Sequence, residues 1–384
     1  MKYDVIVVGS GPAGSTAARE CALRGLNTLV IEKEKLPRHK PCGGAVSSKA
    51  LSLLDFKIRN DLVERECYGS RLHYGGYEIE ARKPYRIGIF TSRDEFDMYL
   101  VEKAIDANAE LKDAESVKSL TIGDSSVVVR TDKGTYKASA VIGADGVNSG
   151  VANYVRPRYN TNEVALAMET EIPARDEEIT ERIKDIAEVY FGITNMGYGW
   201  VFPKREHFSV GVAGLLSQFK EPKSVFVNFL KKLNFNTDVQ FHAHLIPAGG
   251  YEREFCSDRI ILVGDAAGYV DAFYGEGIQY AIHSGKLAAG VILESYEKGD
   301  FSKEELTRYK ELCYGAFGEN LDCALKFSGQ VYKYPDVFIK LFATNKSIID
   351  KWLDVPAGRM NYKEFRRWLL VRTPHYLLKN YISR

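Results

Sequence analysis

A glycine-rich stretch at residues 9–14, GSGPAG, has the spacing GxGxxG, whose chemistry is the binding of a dinucleotide pyrophosphate. An apolar run over residues 3–8 predicts a strand before it, and helical spacing follows it. At such a turn Gly9 permits the sharp bend, Gly11 lets the backbone approach the phosphates, and Gly14 lets helix and strand pack closely. The alternative is a purely structural turn. The loop residues that we expect to contact a cofactor are Gly9, Gly11, Pro12, Ala13 and Gly14.

Glu32 ends the next predicted strand, residues 27–32, and Lys33 follows it. A carboxylate at this place can accept hydrogen bonds from ribose hydroxyls, and it would repel a 2′-phosphate. We therefore expect Glu32 and Lys33 to lie in the cofactor site and NADP to be disfavoured there. The loop and the carboxylate alone leave NAD and FAD open.

Three further motifs favour FAD. Asp265 follows a short buried strand predicted at residues 259–263, Asp145 lies in a GADG turn, and Arg93 opens an amphipathic helix. Together with the GxGxxG turn, and in their order along the chain, they resemble the FAD-binding motifs of the flavoprotein monooxygenases and their relatives, in which an aspartate like Asp265 binds the ribityl chain. The resemblance implies FAD as the cofactor. It also implies cofactor contacts by Arg93, Val117, Asp145, Gly264, Asp265, Gly275, Gly277 and Ile278. A second GxGxxG is missing, so a pyridine-nucleotide donor would have no Rossmann site of its own.

Two more motifs narrow the resemblance to one family. KPCGG occupies residues 40–44, and residues 198–203 match YxWxFP. Together with the glycine-rich segment after Asp265, they make residues 1–330 similar to the geranylgeranyl reductases. One departure from that family is Ala213, which stands where the second glycine of a GxG beginning at Gly211 is usual.

This resemblance implies an FAD-dependent reductase that saturates C=C bonds of geranylgeranyl chains, with archaeal-type ether phospholipids as the expected substrates. Hydride would come from the reduced flavin. The resemblance also implies flavin contacts by Cys42, Gly43 and Gly44, and substrate contacts by Tyr198, Trp200 and Phe202. These three aromatic residues alternate, so they could equally form one packed face of a strand.

A proton must reach the second carbon of the alkene, and the donor is open at this stage. Cys42 and Tyr198 are candidate catalytic residues by type, and solvent is the alternative. Cys42 could instead be a small buried apolar residue. Aromatic faces can stabilise the positive charge that would develop at a tertiary carbon.

Other functions fit parts of the same pattern. A reductase of the menaquinone prenyl tail has the same chemistry on another lipid. An FAD-dependent monooxygenase or halogenase shares the cofactor motifs, and a flavin-binding electron carrier or lipid-binding protein is the non-enzymatic alternative. The expected partners are an isoprenoid lipid and an external electron donor, either ferredoxin, a quinol or NAD(P)H.

The pattern predicts an α/β protein. We expect a Rossmann-like FAD-binding domain made of discontinuous segments, an inserted, mainly antiparallel β substrate domain, and a helical C-terminal region. The predicted boundaries are 1–66, 92–154 and 255–330 for the FAD-binding domain, 67–91 and 155–254 for the substrate domain, and 331–384 for the helical region.

Composition excludes several classes of function. The 384 residues carry 52 Lys+Arg and 51 Asp+Glu, so a net charge of +1 argues against a nucleic-acid binder driven by a basic field. The six cysteines form no CxxC pair, and His242 and His244 alone are too few for a metal site. We expect reduced thiols, no metal, no membrane span and a cytoplasmic protein.

The C-terminal tail, residues 351–384, holds eight Lys/Arg and two acidic residues, a net charge of +6, interleaved with aromatic and leucine side chains. This composition suits contact with anionic lipid at the inner face of a membrane. A packed helix with a solvated basic face is the alternative.

Overall fold

A computed structural model describes residues 2–382 of the chain, with side chains up to Thr373. Runs of strands separated by single α-helices make up residues 2–262, and a series of helices follows. The strands are β1 Lys2–Val8, β2 Thr28–Ile31, β3 Ala45–Ser47, β4 Arg65–Cys67, β5 Gly69–Tyr74, β6 Tyr77–Arg82, β7 Gly88–Phe90, β8 Glu110–Lys112, β9 Val117–Ile122, β10 Val127–Thr131, β11 Thr135–Gly143, β12 Val164–Pro173, β13 Ile186–Phe191, β14 Gly197–Pro203, β15 His207–Leu215, β16 His242–Pro247, β17 Cys256–Ser257 and β18 Ile260–Leu262. The α-helices are α1 Pro12–Leu23, α2 Ser48–Leu51, α3 Arg93–Asp106, α4 Asp176–Arg182, α5 Pro222–Lys232, α6 Gly264–Ala267, α7 Ile278–Lys298, α8 Lys303–Leu306, α9 Arg308–Cys313, α10 Glu319–Lys333, α11 Pro335–Thr344, α12 Lys346–Trp352 and α13 Tyr362–Ile382.

The chain forms two compact units, each assembled from discontinuous segments. Unit 1 comprises Met1–Lys40, Arg93–Asn160 and Pro247–Leu321. Unit 2 comprises Pro41–Ser92, Thr161–Ile246 and Asp322–Arg384.

The largest differences between this division and the predicted boundaries concern residues 41–66 and the C-terminal helices, and shorter stretches at 155–160, 247–254 and 322–330 also group with the other unit. Residues 41–66, predicted to belong to the FAD-binding domain, group with unit 2, because β3 and β4 pair with β7 in a small sheet of that unit. The C-terminal helices also group with unit 2, because α11 and α12 pack against β6.

Unit 1 is built on a mainly parallel sheet. Its strand order is β17-β18-β11-β1-β2-β8, and β10 and β9 extend it in antiparallel fashion beside β11. Residues 5–8 of β1 and all residues of β2 and β18 are buried and, apart from Thr28, apolar, as expected for a sheet covered on both faces.

The register of unit 1 brings the cofactor motifs to one edge. Val8 pairs with Gly143, and Gly143 pairs with Leu262. The loops that follow β1, β11 and β18 therefore leave the sheet side by side at its carboxyl edge, where α/β proteins bind ligands.

Unit 2 is built on a larger, mainly antiparallel sheet with the strand order β16-β12-β15-β14-β13-β5-β6. One face is covered by an apolar cluster to which α5 contributes Phe226, Phe229 and Leu230. The α/β fold with a parallel nucleotide-binding sheet, a second antiparallel sheet and a helical C-terminal region is thus confirmed.

The C-terminal helices pack partly into a core. Phe365 and Leu369 of α13 are buried, and the Phe365 ring contacts Trp352 and Phe327. The packed-helix interpretation therefore holds for this face of α13. Exposed residues on the remaining surface are Arg366, Arg367, Leu370, Val371 and Arg372. The predicted membrane-contacting tail also includes Tyr376, Leu377, Lys379 and Arg384, which lie outside the described side chains.

Across residues 2–382, no helix combines the length and the apolar character needed to cross a bilayer.

Candidate active site

The dinucleotide loop in unit 1 depends on glycine for two different reasons. Gly9 has a φ of +98°, and a Cβ there would clash with the carbonyl oxygen of Ala144. A Cβ on Gly14 would clash with the carbonyl of Gly9, so these two glycines are required by the chain itself. A Cβ on Gly11 would make only an ordinary contact, 3.6 Å from Arg38 Nη2. The protein itself therefore does not require glycine at position 11, and the missing side chain leaves space for a ligand.

Glu32 is buried beneath this loop and fixes it. Its Oε2 accepts hydrogen bonds from the Ser10 N–H at 2.9 Å and the Ser10 hydroxyl at 2.8 Å, and Oε1 accepts from the Glu34 N–H at 3.0 Å. A carboxylate has about four acceptor sites, so Glu32 can still accept a hydrogen bond from a ribose hydroxyl. Lys33, which follows it, is exposed.

A carboxylate that the sequence did not single out, Asp97, binds two arginines. It accepts from Arg93 Nε at 2.8 Å and Nη2 at 3.0 Å, and Arg38 Nη2 lies 3.2 Å from its Oδ2. Asp97 is four residues after Arg93 on α3, a spacing that predicts such a pair once the helix is known. The sequence does not predict the contact with Arg38, because Arg38 lies in the loop after β2, far from Asp97 along the chain.

These groups fit a dinucleotide diphosphate. Arg38 Nη1 is buried and has no hydrogen-bond partner among the described residues, although the guanidinium lies beside Gly11. The first turn of α1 holds no acidic residue and no side-chain cap, which leaves its N–H groups available to an anion. A buried cation with an unused donor and an open helix N-terminus are what a pyrophosphate requires.

Asp265 lies where β18 runs into α6. A Cβ on the preceding Gly264 would lie 2.9 Å from Ala13 Cβ, and one on Gly277 would lie 3.4 Å from Asp265 Oδ1. The aspartate is therefore close to the start of α1 and to the start of α7, where Ile278 is the first residue. Burial raises the pKa of Asp265, and the positive charges of Lys40 and Arg93 oppose that shift.

Asp145 has a structural task in its own loop. Its carboxylate accepts from the Ser149 hydroxyl and from the N–H groups of Gly150 and Val151, the latter two at 2.7 and 3.2 Å. Burial raises the pKa of Asp145, and these hydrogen bonds counteract the shift.

Two other predicted cofactor residues lie elsewhere in unit 1. Val117 begins β9 and packs against the unit 1 core. Gly275 has a φ of +71° in the loop before α7, where its N–H donates to the Asp271 carbonyl.

In unit 2, the three aromatic residues of the YxWxFP motif form a row on one face of β14. We call Tyr198, Trp200 and Phe202 the aromatic row. The ring centroids of Tyr198 and Trp200 are 6.3 Å apart, and those of Trp200 and Phe202 are 6.2 Å apart. Between them, Gly199 faces the opposite side, where a Cβ would lie 2.7 Å from the Phe229 ring. The row therefore lies on the face away from the α5 cluster.

The PCGG residues 41–44 form a loop that sits on the aromatic row. A Cβ on Gly43 would lie 2.8 Å from the Phe202 ring and 3.0 Å from Trp200 Nε1. Gly44 has a φ of +69°, and its carbonyl accepts from the Thr91 N–H at 2.9 Å. The structure thus brings together two motifs that are about 155 residues apart in the chain.

Two residues that sequence reasoning missed hold this loop, Glu169 directly and Lys204 through Thr91. The Glu169 Oε1 accepts from the backbone N–H of Cys42 at 2.6 Å. Lys204 is buried, donates to the Thr91 carbonyl and lies 3.2 Å from Glu64 Oε2. Cys42 itself is partly exposed, and its Sγ accepts from the Gly44 N–H at 3.4 Å.

The structure explains why Ala213 can replace the second glycine of the GxG pattern. Gly211 of β15 pairs with Trp200, and a Cβ there would clash with the indole ring, so glycine is required. Ala213 pairs with Tyr198 and is partly exposed, so the methyl group replaces a hydrogen without displacing a buried ring.

In the part of the chain that the structure describes, no cluster of three or more His, Cys, Asp or Glu side chains could hold a metal ion.

Comparison with known proteins identifies the class and then the family. A family model described as an FAD binding domain matches residues 2–218. A chloroplastic geranylgeranyl diphosphate reductase of Nicotiana tabacum is 32% identical over 331 residues, covering 80% of this chain and 70% of that protein. A digeranylgeranylglycerophospholipid reductase of Methanothermobacter thermautotrophicus is 31% identical over 342 residues, covering 85% of this chain and 87% of the relative.

Two solved structures share the fold. A geranylgeranyl bacteriochlorophyll reductase-like protein from Thermoplasma acidophilum superposes with a TM-score of 0.82 at 24% identity, covering 98% of each chain. A flavin-dependent brominase superposes with a TM-score of 0.75 at 19% identity, covering 98% of this chain and all of that one. At these identities the likeness concerns the fold alone.

The matched domain makes the chain an FAD-binding flavoprotein, which confirms FAD as the cofactor. Within that class it belongs to the geranylgeranyl reductase family, because relatives of that name exceed 30% identity over most of its length.

Proposed function

We propose that this protein is an FAD-dependent reductase that saturates the C=C bonds of geranylgeranyl chains, with archaeal-type ether phospholipids as substrates. The main support for the proposal is the contact between the 41–44 loop and the aromatic row in unit 2. Both motifs are among those that make the sequence similar to the geranylgeranyl reductases. The names of two relatives above 30% identity support geranylgeranyl groups as substrates, and the name of the Methanothermobacter relative supports a phospholipid.

The unit 1 residues form the proposed cofactor site. Arg38 and Arg93, held by Asp97, would bind phosphate, and Glu32 would bind ribose. The unit 1 residues proposed to contact FAD are Gly9, Gly11, Pro12, Ala13, Gly14, Glu32, Lys33, Arg93, Val117, Asp145, Gly264, Asp265, Gly275, Gly277 and Ile278. The resemblance also implies flavin contacts by Cys42, Gly43 and Gly44, which belong to unit 2.

The unit 2 residues form the proposed substrate site. When bound and reduced, FAD supplies the hydride. The aromatic row would line the prenyl chain, exclude water and stabilise positive charge at the tertiary carbon. Cys42 and Tyr198 remain the proposed proton donors, because both are only partly buried and carry a transferable proton.

An isoprenoid lipid and an external reductant are the required partners. We infer that ferredoxin, a quinol or NAD(P)H reduces the flavin, with no dedicated nicotinamide fold in the sequence. We also propose that exposed arginines on α13 contact anionic lipid at the inner membrane face, which would bring the enzyme to its substrate.

Mass spectrometry of the product tests the function. Anaerobic enzyme reduced with dithionite is incubated with digeranylgeranyl glycerophospholipid, and we expect mass gains in steps of two hydrogens. No gain with reduced FAD bound would reject this substrate. Menaquinone is then tested in the same way, and oxygen consumption with NAD(P)H would instead indicate a monooxygenase or halogenase.

A further inference from the structure

Glu169 of β12 occupies a defined place relative to the aromatic row. In the unit 2 sheet, Glu169 pairs with Gly211 of β15, and Gly211 pairs with Trp200 of β14. Directly paired residues project from the same face of a sheet. Glu169 and Trp200 therefore stand on one face, separated by a glycine.

The glycine brings the indole toward the carboxylate. Because Gly211 has no side chain, the Trp200 ring lies over the β15 backbone, where a Cβ would clash with it. A Cβ on Gly211 would also lie 2.6 Å from the carbonyl oxygen of Met168, the residue before Glu169. The space between β14 and β12 on this face is therefore filled by the indole itself.

The carboxylate at this place is buried and bound to the loop. Glu169 is 8% exposed, and its Oε1 accepts from the Cys42 N–H at 2.6 Å. A charge-assisted hydrogen bond of this length is among the stronger ones in proteins. Gly43, the next residue, lies against Phe202 and Trp200. The backbone on either side of the Cys42 side chain is thus fixed by Glu169 and by the aromatic row.

We propose that Glu169 is a positioning residue for the proposed proton donor Cys42. Its carboxylate holds the Cys42 N–H and so fixes the thiol relative to the aromatic row on which the alkene would lie. The proposal rests on the proposed function for its catalytic part, whereas the claim that Glu169 holds Cys42 stands independently of any substrate.

Two substitutions separate the hydrogen bond from the negative charge. Glu169→Ala removes the acceptor, and Glu169→Gln keeps an acceptor oxygen of the same reach. If Glu169 acts by positioning, Glu169→Ala should lower kcat about 10- to 100-fold with little change in KM, because small displacements of a reacting group cost this much. Glu169→Gln should restore kcat to within about 3-fold of the wild type.

The alkylation rate of Cys42 by iodoacetamide in the holoenzyme supplies a readout that needs no substrate. Mass mapping distinguishes Cys42 from Cys323, the other partly exposed thiol. We expect the Cys42 rate to change in Glu169→Ala and to return in Glu169→Gln, with the Cys323 rate constant throughout. Glu171→Ala is the matched control, since Glu171 lies two residues along β12 and its side chain is 63% exposed.

The outcomes separate the two proposals. Wild-type alkylation of Cys42 in Glu169→Ala would overturn the positioning role whatever the substrate. Equal loss of kcat in Glu169→Gln and Glu169→Ala would also overturn it, because charge rather than the hydrogen bond would then matter. If the wild-type enzyme reduces no prenyl lipid but the alkylation pattern is as expected, the proposed function fails and the structural role of Glu169 holds.

Discussion

Asp97 shows how much one buried carboxylate can organise. It is almost fully buried, and it binds Arg93 through two hydrogen bonds and Arg38 through a third contact. A buried carboxylate is tolerated because two guanidinium groups compensate its charge. Arg38 Nη1 is buried without a hydrogen-bond partner among the described residues, so it could donate to a bound anion.

Asp97→Asn should therefore weaken FAD binding. We expect about a 10-fold rise in the dissociation constant, equivalent to about 1.4 kcal/mol, because an amide replaces one of two charged acceptor oxygens. Titration of the apoprotein with FAD, followed by flavin fluorescence, measures this. Glu95→Gln on the exposed side of α3 is the control, and an equal loss in both variants would refute a specific role for Asp97.

Cys42 gives a second prediction at the level of one residue. Cys42→Ser keeps the backbone N–H bonded to Glu169, so FAD content should stay unchanged, but turnover should fall about 100-fold because a hydroxyl is a weaker acid than a thiol. Single-turnover oxidation of reduced enzyme by the lipid measures the rate. Cys323→Ser serves as control, and unchanged turnover in Cys42→Ser would remove Cys42 as proton donor.

At the level of elements, α7 and α1 pack unusually closely. A Cβ on Gly285 of α7 would lie 2.5 Å from the carbonyl oxygen of Ala13, in the first turn of α1. The Ser284 hydroxyl, beside it, accepts from the Gly264 N–H at 3.0 Å. Helix α7 thus holds both the dinucleotide loop and the segment that carries Asp265, and Gly285 sets the distance.

Two glycine substitutions in the same helix test this packing. Gly285→Ala should destabilise the protein by about 1–3 kcal/mol through overpacking and should weaken FAD retention. Gly290→Ala, where a Cβ would meet nothing within 4 Å, should stabilise it by about 0.5–1 kcal/mol through helix propensity. Thermal unfolding and flavin release report both quantities, and equal behaviour of the two variants would contradict the packing argument.

At the level of the whole molecule, the near-neutral net charge hides an uneven distribution. The last 34 residues carry a net charge of +6, whereas the whole chain carries +1, so the rest of the chain is net negative. Acidic residues at and just before the start of this segment make internal ion pairs. Lys83 of the β6–β7 connection lies 3.0 Å from Asp350 and 2.9 Å from Asp354, which ties the α12 region to the unit 2 sheet.

This contact predicts an acid-sensitive attachment of the C-terminal helices. Burial alone would raise the pKa of Asp354, but hydrogen bonds from Lys351, Tyr85 and Lys83 lower it to about 2. The pKa of an aspartate in the unfolded chain is about 4, so the lowered pKa of Asp354 stabilises the folded state at pH values above about 4. This stabilisation is lost as the pH falls from about 4 toward 2. Its size is on the order of 2 kcal/mol.

Denaturant unfolding between pH 2 and pH 6 checks this. The stability difference between wild type and Asp354→Asn should be largest near pH 6 and should shrink as the pH approaches 2. Asp336→Asn on α11 should show the smaller effect, because that carboxylate accepts from the neutral Tyr74 hydroxyl. A difference for Asp354→Asn that is independent of pH would contradict the assignment.

The exposed arginines of α13 predict how the protein meets lipid. Replacement of Arg366, Arg367 and Arg372 by Gln removes three exposed charges and leaves the buried Phe365 and Leu369 in place. We expect the partition coefficient on anionic vesicles at low salt to fall about 100-fold, because each of the three charges near the surface contributes about 1 kcal/mol. The control replaces Lys118, Lys133 and Lys137, and equal pelleting of all three proteins would refute the membrane contact.

The sequence alone determined the features that depend on local spacing. Gly9, Gly14 and Glu32 are recognisable because one strand, one turn and one helix fix their geometry. The aromatic row is recognisable for the same reason, since alternate residues of a strand share a face. Length and charge were likewise sufficient to argue against a nucleic-acid binder.

Only the tertiary structure decided which distant residues meet. Glu169 reaches Cys42, Arg38 reaches Asp97, and Lys204 supports the 41–44 loop through pairings across strands that lie far apart in the chain. Lone charged residues on a strand or loop carry no periodic signal, so sequence spacing could not single them out. The grouping of residues 41–66 with unit 2 has the same origin, because strand pairing, unlike helix spacing, is a long-range choice.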